Sequence, residues 1–326
     1  MNLVLSQVLE KIGKQNTLNF KHRELNFKIM DIKDLNGSIV AIVTPFKEDG
    51  SIDYEKFDEL IEWHIAQGTN GIVVCGTTGE SPALNEQEGE MLIKHAVIKV
   101  DKRIPVIAGS GNNCTQKTIQ YSRIDEKSGV DALLIVSPYY NRPTQHGMYL
   151  HFGEVAKSVN VPIILYNVPS RTGSAISPQL AIDLAKAHNN IIGIKEAAGN
   201  LGNFADLLEK RPKGFKVFSG DDFLAVPANL LGADGCISVV ANVIPRDFAD
   251  MMNASINGEI SKSRQMFFKY KKLTELLFVE TNPIPVKTAL AAMKKISEFF
   301  RLPLCEMGSE NKQMLLNELV DLQLIK

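Results

Sequence analysis

Lys195 closes the apolar run Ile191-Ile192-Gly193-Ile194, and a run that apolar reads as a strand buried on both faces. Its amine must then lie in a largely dry interior, where the charged form is disfavoured and the neutral amine can attack a carbonyl. Imine formation is the chemistry this suggests. The competing reading of the residue is structural: a strand-end lysine that snorkels to solvent, or one that pairs with a carboxylate such as Glu196. Imine chemistry also needs a proton shuttle for carbinolamine dehydration and a clamp for the substrate's carboxylate. Tyr166 offers a hydroxyl, Thr77 and Thr78 offer hydroxyls and backbone N–H groups, and Arg171 offers two parallel donors. Singly, each has an ordinary alternative as a buried tyrosine, a turn threonine or a surface arginine. Gathered at one end of a fold, they favour chemistry.

The elements that must gather them follow one repeating pattern from Gly37 onwards, in which short apolar strands alternate with amphipathic helices. Strands are predicted over Gly37 to Thr44, Gly71 to Cys75, Ile104 to Ala108, Ala132 to Val136, Pro162 to Tyr166, Ile191 to Lys195, Lys216 to Ser219 and Gly235 to Val239. Helices lie between them; in Asp53 to Gln67, Phe57, Leu60, Ile61, His64 and Ile65 form one apolar stripe. Eight strands with crossover helices indicate an α/β fold, a closed (β/α)8 TIM barrel. A doubly wound open sheet is the alternative, but it would more often carry a glycine-rich turn after its first strand, where this chain has Thr44-Pro45-Phe46. Residues 257–326 read as a C-terminal helical appendage interrupted at Pro283, Pro285 and Pro303. Active residues of such barrels gather at the carboxyl ends of the strands. The unusual segments fall there: GTTGES, SPYYNRPTQHG, LYNVPSRTG, GIKEAAGN and FSGDD. In the last of these, Asp221 and Asp222 invite an acid/base role, but they are expected instead to cap the following helix.

The chain has 326 residues, 44% hydrophobic and 22% charged, with a net charge of −1. That balance supports a large core and gives no reason to expect nucleic acid or an anionic membrane as partner. Cys75, Cys114, Cys236 and Cys305 are widely spaced, and the six histidines show no metal-binding spacing, so reduced cytosolic thiols and no metal are expected. Residues 1–29 carry five Lys/Arg against two acids and lack the apolar core of a signal peptide. They are expected to be a dispensable extension, with the barrel over residues 30–256.

In order and spacing, GTTGES, PYYNRPTQ, LYNVPSRTG, GIKEAAGN and SGDD resemble the dihydrodipicolinate synthase family, pyruvate-dependent lyases whose superfamily includes N-acetylneuraminate lyase. The resemblance runs from about Gly37 to the C-terminus. It implies that Lys195 forms an imine with pyruvate, whose enamine attacks the aldehyde of aspartate semialdehyde. Tyr166, Thr77 and Tyr140 match the family's proton relay, with Tyr140 reaching in from a neighbouring subunit. Thr78 matches the group that binds the pyruvate carboxylate, near backbone around Gly220 and Ile237, and Arg171 the group that holds the semialdehyde's carboxylate. No metal or organic cofactor is implied, and a cytoplasmic homotetramer, a dimer of tight dimers, is. Lysine-sensitive relatives bind lysine at the tight-dimer interface; Ser81, Asn113 and Tyr139 match that pattern, whereas Glu86, Gly89 and Lys117 depart from it. The rivals are a sister pyruvate-dependent aldolase with another acceptor and a non-catalytic barrel that binds a keto acid. Turnover with aspartate semialdehyde against N-acetylneuraminate separates the first, and borohydride reduction in the presence of pyruvate separates the second.

Overall fold

The computed structural model describes residue 32 and residues 35–326, so the extension assigned to residues 1–29 lies outside the described residues. Eight strands, β1 (Gly37–Ala41), β2 (Gly71–Val74), β3 (Val106–Gly109), β4 (Ala132–Val136), β5 (Ile163–Asn167), β6 (Ile191–Glu196), β7 (Lys216–Ser219) and β8 (Gly235–Ser238), close into a barrel in sequence order. Every neighbouring pair is parallel, including β8 with β1. The predicted strands are all present, and the main differences are at their ends; β1 stops at Ala41, three residues before the predicted Thr44.

Closure follows from two apolar faces on each short strand. Ile39, Val73, Ile107, Leu134, Ile164, Ile192, Phe218 and Ile237 fill the barrel interior. Residues of the opposite face, such as Val40, Ile72, Leu133, Leu165 and Ile194, pack beneath the helices. Twelve helices are described: α1 (Tyr54–Ala66), α2 (Glu86–Val100), α3 (Thr115–Lys127), α4 (Gln145–Ser158), α5 (Pro169–Thr172), α6 (Pro178–Ala187), α7 (Leu201–Lys210), α8 (Ala225–Leu230), α9 (Pro245–Ile256), α10 (Ile260–Leu276), α11 (Ile284–Ala292) and α12 (Ser309–Asp321). In α1, Phe57, Leu60, Ile61 and His64 are buried as the stripe requires, while Asp53 accepts from the backbone of Lys56 to start the helix. A capping box of Asn85 and Glu88 starts α2.

The last three helices form the predicted appendage. Pro283 and Pro285 stand at the start of α11, where a missing N–H costs least, and Pro303 lies in the segment between α11 and α12. α10 packs on α9 and α12, and α12 also packs on α11.

One irregularity sets the direction of the key side chain. Ile163 pairs with Ile191 but Ile164 pairs with Gly193, so β6 carries one extra residue. Strict alternation would send Ile192 and Lys195, three positions apart, to opposite faces. The bulge lets Ile192 fill the barrel interior while Lys195 turns to the same side, further up at the rim.

Candidate active site

A cavity of about 320 Å³ opens at the carboxyl ends of the strands, lined by residues that include Thr77, Thr78, Tyr166, Arg171, Lys195 and Gly220. Each arrives from a different strand end or the loop after it. Thr77 and Thr78 follow β2, Tyr166 and Arg171 belong to the end of β5 and to α5, Lys195 to β6 and Gly220 to the turn after β7.

Lys195 is 6% exposed and its Nζ lies 4.4 Å from the centroid of the Tyr166 ring. The carboxylate beside it in sequence does not compete for it. Glu196 points to the other face of β6, where it accepts from the side-chain amide of Asn167 at 2.8 Å and the backbone N–H of Ala198 at 2.7 Å. Burial there pushes the Glu196 carboxyl above its ordinary range. The pairing alternative for Lys195 is therefore not realised with Glu196.

Gly220 explains itself sterically. A Cβ at this position would stand 2.6 Å from Lys195 Cε and 2.8 Å from the Ala197 Cβ, so glycine is what leaves room for the lysine stem. Ile237 lies deeper, in the barrel interior, and the residue of β8's end that lines the cavity is Val239. Thr78 is buried, and its hydroxyl oxygen accepts from the side-chain amide of Asn282 at 3.0 Å. Arg171 donates from Nη2 to the Asn282 carbonyl at 3.2 Å while also facing the cavity.

Tyr140 stands apart from this group. It is 90% exposed, has a left-handed backbone (φ 71°) and does not line the cavity within one chain. Next to it, Tyr139 lines a larger hollow of about 770 Å³ with Ser81, Glu86 and Gly89. The two hollows share Thr77, Tyr166, Val168 and Arg171.

The expectation that Asp221 and Asp222 cap the next helix is corrected. α8 begins after Leu224 with no side-chain cap. Asp222 is buried and accepts instead from the Ser238 hydroxyl and, at 3.1 Å, from the backbone N–H of Val239. It thereby ties the β7 turn to the end of β8, and burial pushes its carboxyl up to about 6. Asp221 accepts from the Phe223 backbone at 2.9 Å and lines the cavity. Asn282 is a site residue that carries no signal in the sequence. It lies in the segment NPIPVK, read only as helix breakers, and no local pattern marks it as a partner of Thr78. Among the described residues, no group of three or more His, Cys, Asp or Glu is placed to hold a metal, and no helix is long and apolar enough to cross a membrane.

A closed parallel barrel with a buried lysine and tyrosine side by side at its rim defines a class, that of barrels with an amine among hydroxyls at the strand ends. Within it the chain belongs to the dihydrodipicolinate synthetase family, which matches residues 34–321. It is 50% identical over 290 residues to the 4-hydroxy-tetrahydrodipicolinate synthase of Thermodesulfovibrio yellowstonii, covering 89% of this chain and 99% of that protein. Among solved structures, the chloride-inhibited dihydrodipicolinate synthase of Acinetobacter baumannii complexed with pyruvate superposes with a TM-score of 0.87 at 43% identity, covering 89% of this chain and all of that one. The enzyme of Cyanidioschyzon merolae with lysine bound superposes with a TM-score of 0.87 at 35% identity, covering 90% of this chain and 99% of that one.

Proposed function

We propose that Lys195 carries the reaction of this chain. The enzyme is a lyase that condenses pyruvate with L-aspartate 4-semialdehyde to give 4-hydroxy-tetrahydrodipicolinate, in lysine and diaminopimelate biosynthesis. The observation that carries the residue assignment is the Lys195 amine beside Tyr166 in a cavity that also presents Thr77, Thr78 and Arg171.

The Lys195 amine attacks the keto carbon of pyruvate, and loss of water gives the imine. Removal of a methyl proton gives the enamine, whose carbon attacks the semialdehyde's aldehyde carbon. The semialdehyde's own amine then displaces Lys195 from the former keto carbon, closing the ring, freeing the enzyme and leaving one water as by-product. Tyr166 and Thr77 move the protons of these steps, with Tyr140 of a second copy completing the relay. Thr78 holds the pyruvate carboxylate beside backbone near Gly220 and Ile237, and Arg171 holds the carboxylate of the semialdehyde. The exposure of Tyr140 in one chain supports its action in trans, within a homotetramer built from tight dimers. A cytoplasmic location suits that biosynthetic role.

Borohydride added with pyruvate tests the assignment. Reduction should fix a pyruvate-derived adduct on Lys195, mapped by peptide mass spectrometry, while Lys195→Ala should give neither adduct nor product. An adduct on another lysine, or turnover retained by Lys195→Ala, would overturn it.

A further inference from the structure

The loop that carries Thr77 and Thr78, together with the helix that follows it, is gripped from outside the barrel at three successive points. Asn282 donates to the Thr78 hydroxyl at 3.0 Å. Glu80, two residues on, is paired with Lys287 of α11, and both side chains are wholly buried. Arg301 then holds Glu88, at the start of α2, through two hydrogen bonds of 2.7 and 2.6 Å. Each anchor lies more than 200 residues along the chain from its target.

The middle anchor acts on a disfavoured backbone. Glu80 has φ 53°, in the left-handed region that a residue with a Cβ rarely enters. Such a conformation persists where the surroundings over-determine it. Its N–H donates to the Thr77 carbonyl at 3.1 Å, so the place of Glu80 sets that of Thr77. The Lys287 Nζ lies 4.4 and 5.2 Å from the ring centroids of Phe46 and Phe300, which fix it from the other side. An ion pair removed from water adds little stability over apolar packing of the same volume. What it supplies here is geometry.

We propose that Lys287 and Asn282 are positioning residues for the condensation, holding Thr77 and Thr78 where the substrate and the proton relay need them. The inference rests on the roles given above to those two threonines.

The test replaces the pair by neutral side chains of similar shape, Lys287→Met with Glu80→Gln, so that no unpaired charge is left buried. The melting temperature should stay close to that of the parent, while kcat falls on the order of ten- to a hundredfold or the KM for pyruvate rises by a similar factor. The KM for the semialdehyde should move less than threefold. Parental kcat and pyruvate KM in the folded double variant would overturn the inference. If that variant fails to fold, a double-mutant cycle decides: Asn282→Ala should raise the pyruvate KM roughly five- to tenfold in the parent and leave it unchanged in a Thr78→Val background. Additive effects would overturn the inference. Thr77→Val and Thr78→Val separate the two levels. If both are impaired and the pair variant is not, the positioning role fails and the threonine roles stand; if neither is impaired, the threonine roles fail and the inference falls with them.

Discussion

Tyr166 and Lys195 are register partners on β5 and β6, and the lysine amine lies against the face of the tyrosine ring, 4.4 Å from its centroid. Two adjacent strands of a closed sheet thus fix the pair, and neither residue depends on a loop for its place. Constellations held by strands are more precise than those held by loops. The surrounding groups come from loops and from the short helix α5, and the predictions separate the two kinds of support.

Gly220→Ala should disable the lysine without unfolding the barrel. The added Cβ would meet Lys195 Cε at 2.6 Å, and the flexible lysine stem is what gives way. A displacement of about an ångström at a reacting atom costs on the order of a hundredfold. Turnover and the rate of borohydride trapping should fall together, with the melting temperature within a few degrees of the parent; normal trapping would refute the steric account.

Arg171→Ala should raise the KM for aspartate semialdehyde and leave that for pyruvate nearly unchanged. Loss of a charge-assisted contact amounts to about 1.5 to 3 kcal/mol, roughly ten- to a hundredfold. Steady-state kinetics with each substrate varied in turn checks this, and equal effects on both would remove the assigned clamp.

Tyr140→Phe keeps the ring and deletes the hydroxyl. The variant should lose activity yet assemble normally, and subunit exchange with an inactive Tyr166→Phe variant should restore part of the turnover through mixed dimers. No recovery after exchange verified by mass spectrometry would argue that Tyr140 does not act in trans.

Acid should weaken the fold through His64. This ring is fully buried, with Nδ1 3.2 Å from the Thr69 hydroxyl, and burial lowers its pKa from 6.5 to about 3. The unfolded chain binds that proton first, so the stability tied to the neutral ring is present above about pH 6.5 and is lost as the pH falls towards 3. Between pH 7 and pH 5 the loss is about 2 kcal/mol from this group. His151, lowered to about 4 by burial, acts in the same sense, while Asp125 and Asp222, raised to about 6 by burial, act in the opposite one. The stability lost between pH 7 and pH 5 in denaturant melts should therefore be about 2 kcal/mol smaller, as a signed quantity, in His64→Asn than in the parent; an unchanged loss would exclude this source.

Lysine should be a poor inhibitor. Of the residues at the positions where sensitive relatives bind it, Ser81, Glu86, Gly89 and Tyr139 line the larger hollow. Lys117 is one of the positions that depart from the pattern, and its ammonium would repel that of the ligand. Glu86 is already engaged, accepting the Tyr121 hydroxyl at 2.7 Å. Turnover measured with millimolar lysine checks this, and strong inhibition would show that the substitutions are tolerated.

The barrel was legible because every strand is a short apolar run, and the loops that follow hold the polar clusters that such a fold has no other use for. Lys195, Tyr166, Thr77, Thr78, Arg171 and Gly220 could be placed at one rim from strand order alone, and they share one cavity. Three things were not legible. The bulge at Ile192 reverses the alternation of β6, and nothing in an unbroken apolar run marks it. Asp222 resembles a helix cap in sequence, but its partners are the Ser238 hydroxyl and the Val239 backbone across the strand order. Asn282 and Lys287 act on residues more than 200 positions away, where no periodicity reaches.

That separation has a consequence for synthesis. A chain emerging from the ribosome completes all eight strands at Ser238, some forty residues before Asn282 and sixty before Arg301 appear. Domains take shape from the N-terminus during translation. A barrel closed at that stage holds Lys195 and Tyr166 on paired strands, with the threonine loop still unanchored. The nascent enzyme should therefore become fully competent only as its last helices dock, and a premature stop codon placed after α9, which packs on β1, should leave a chain of much reduced turnover.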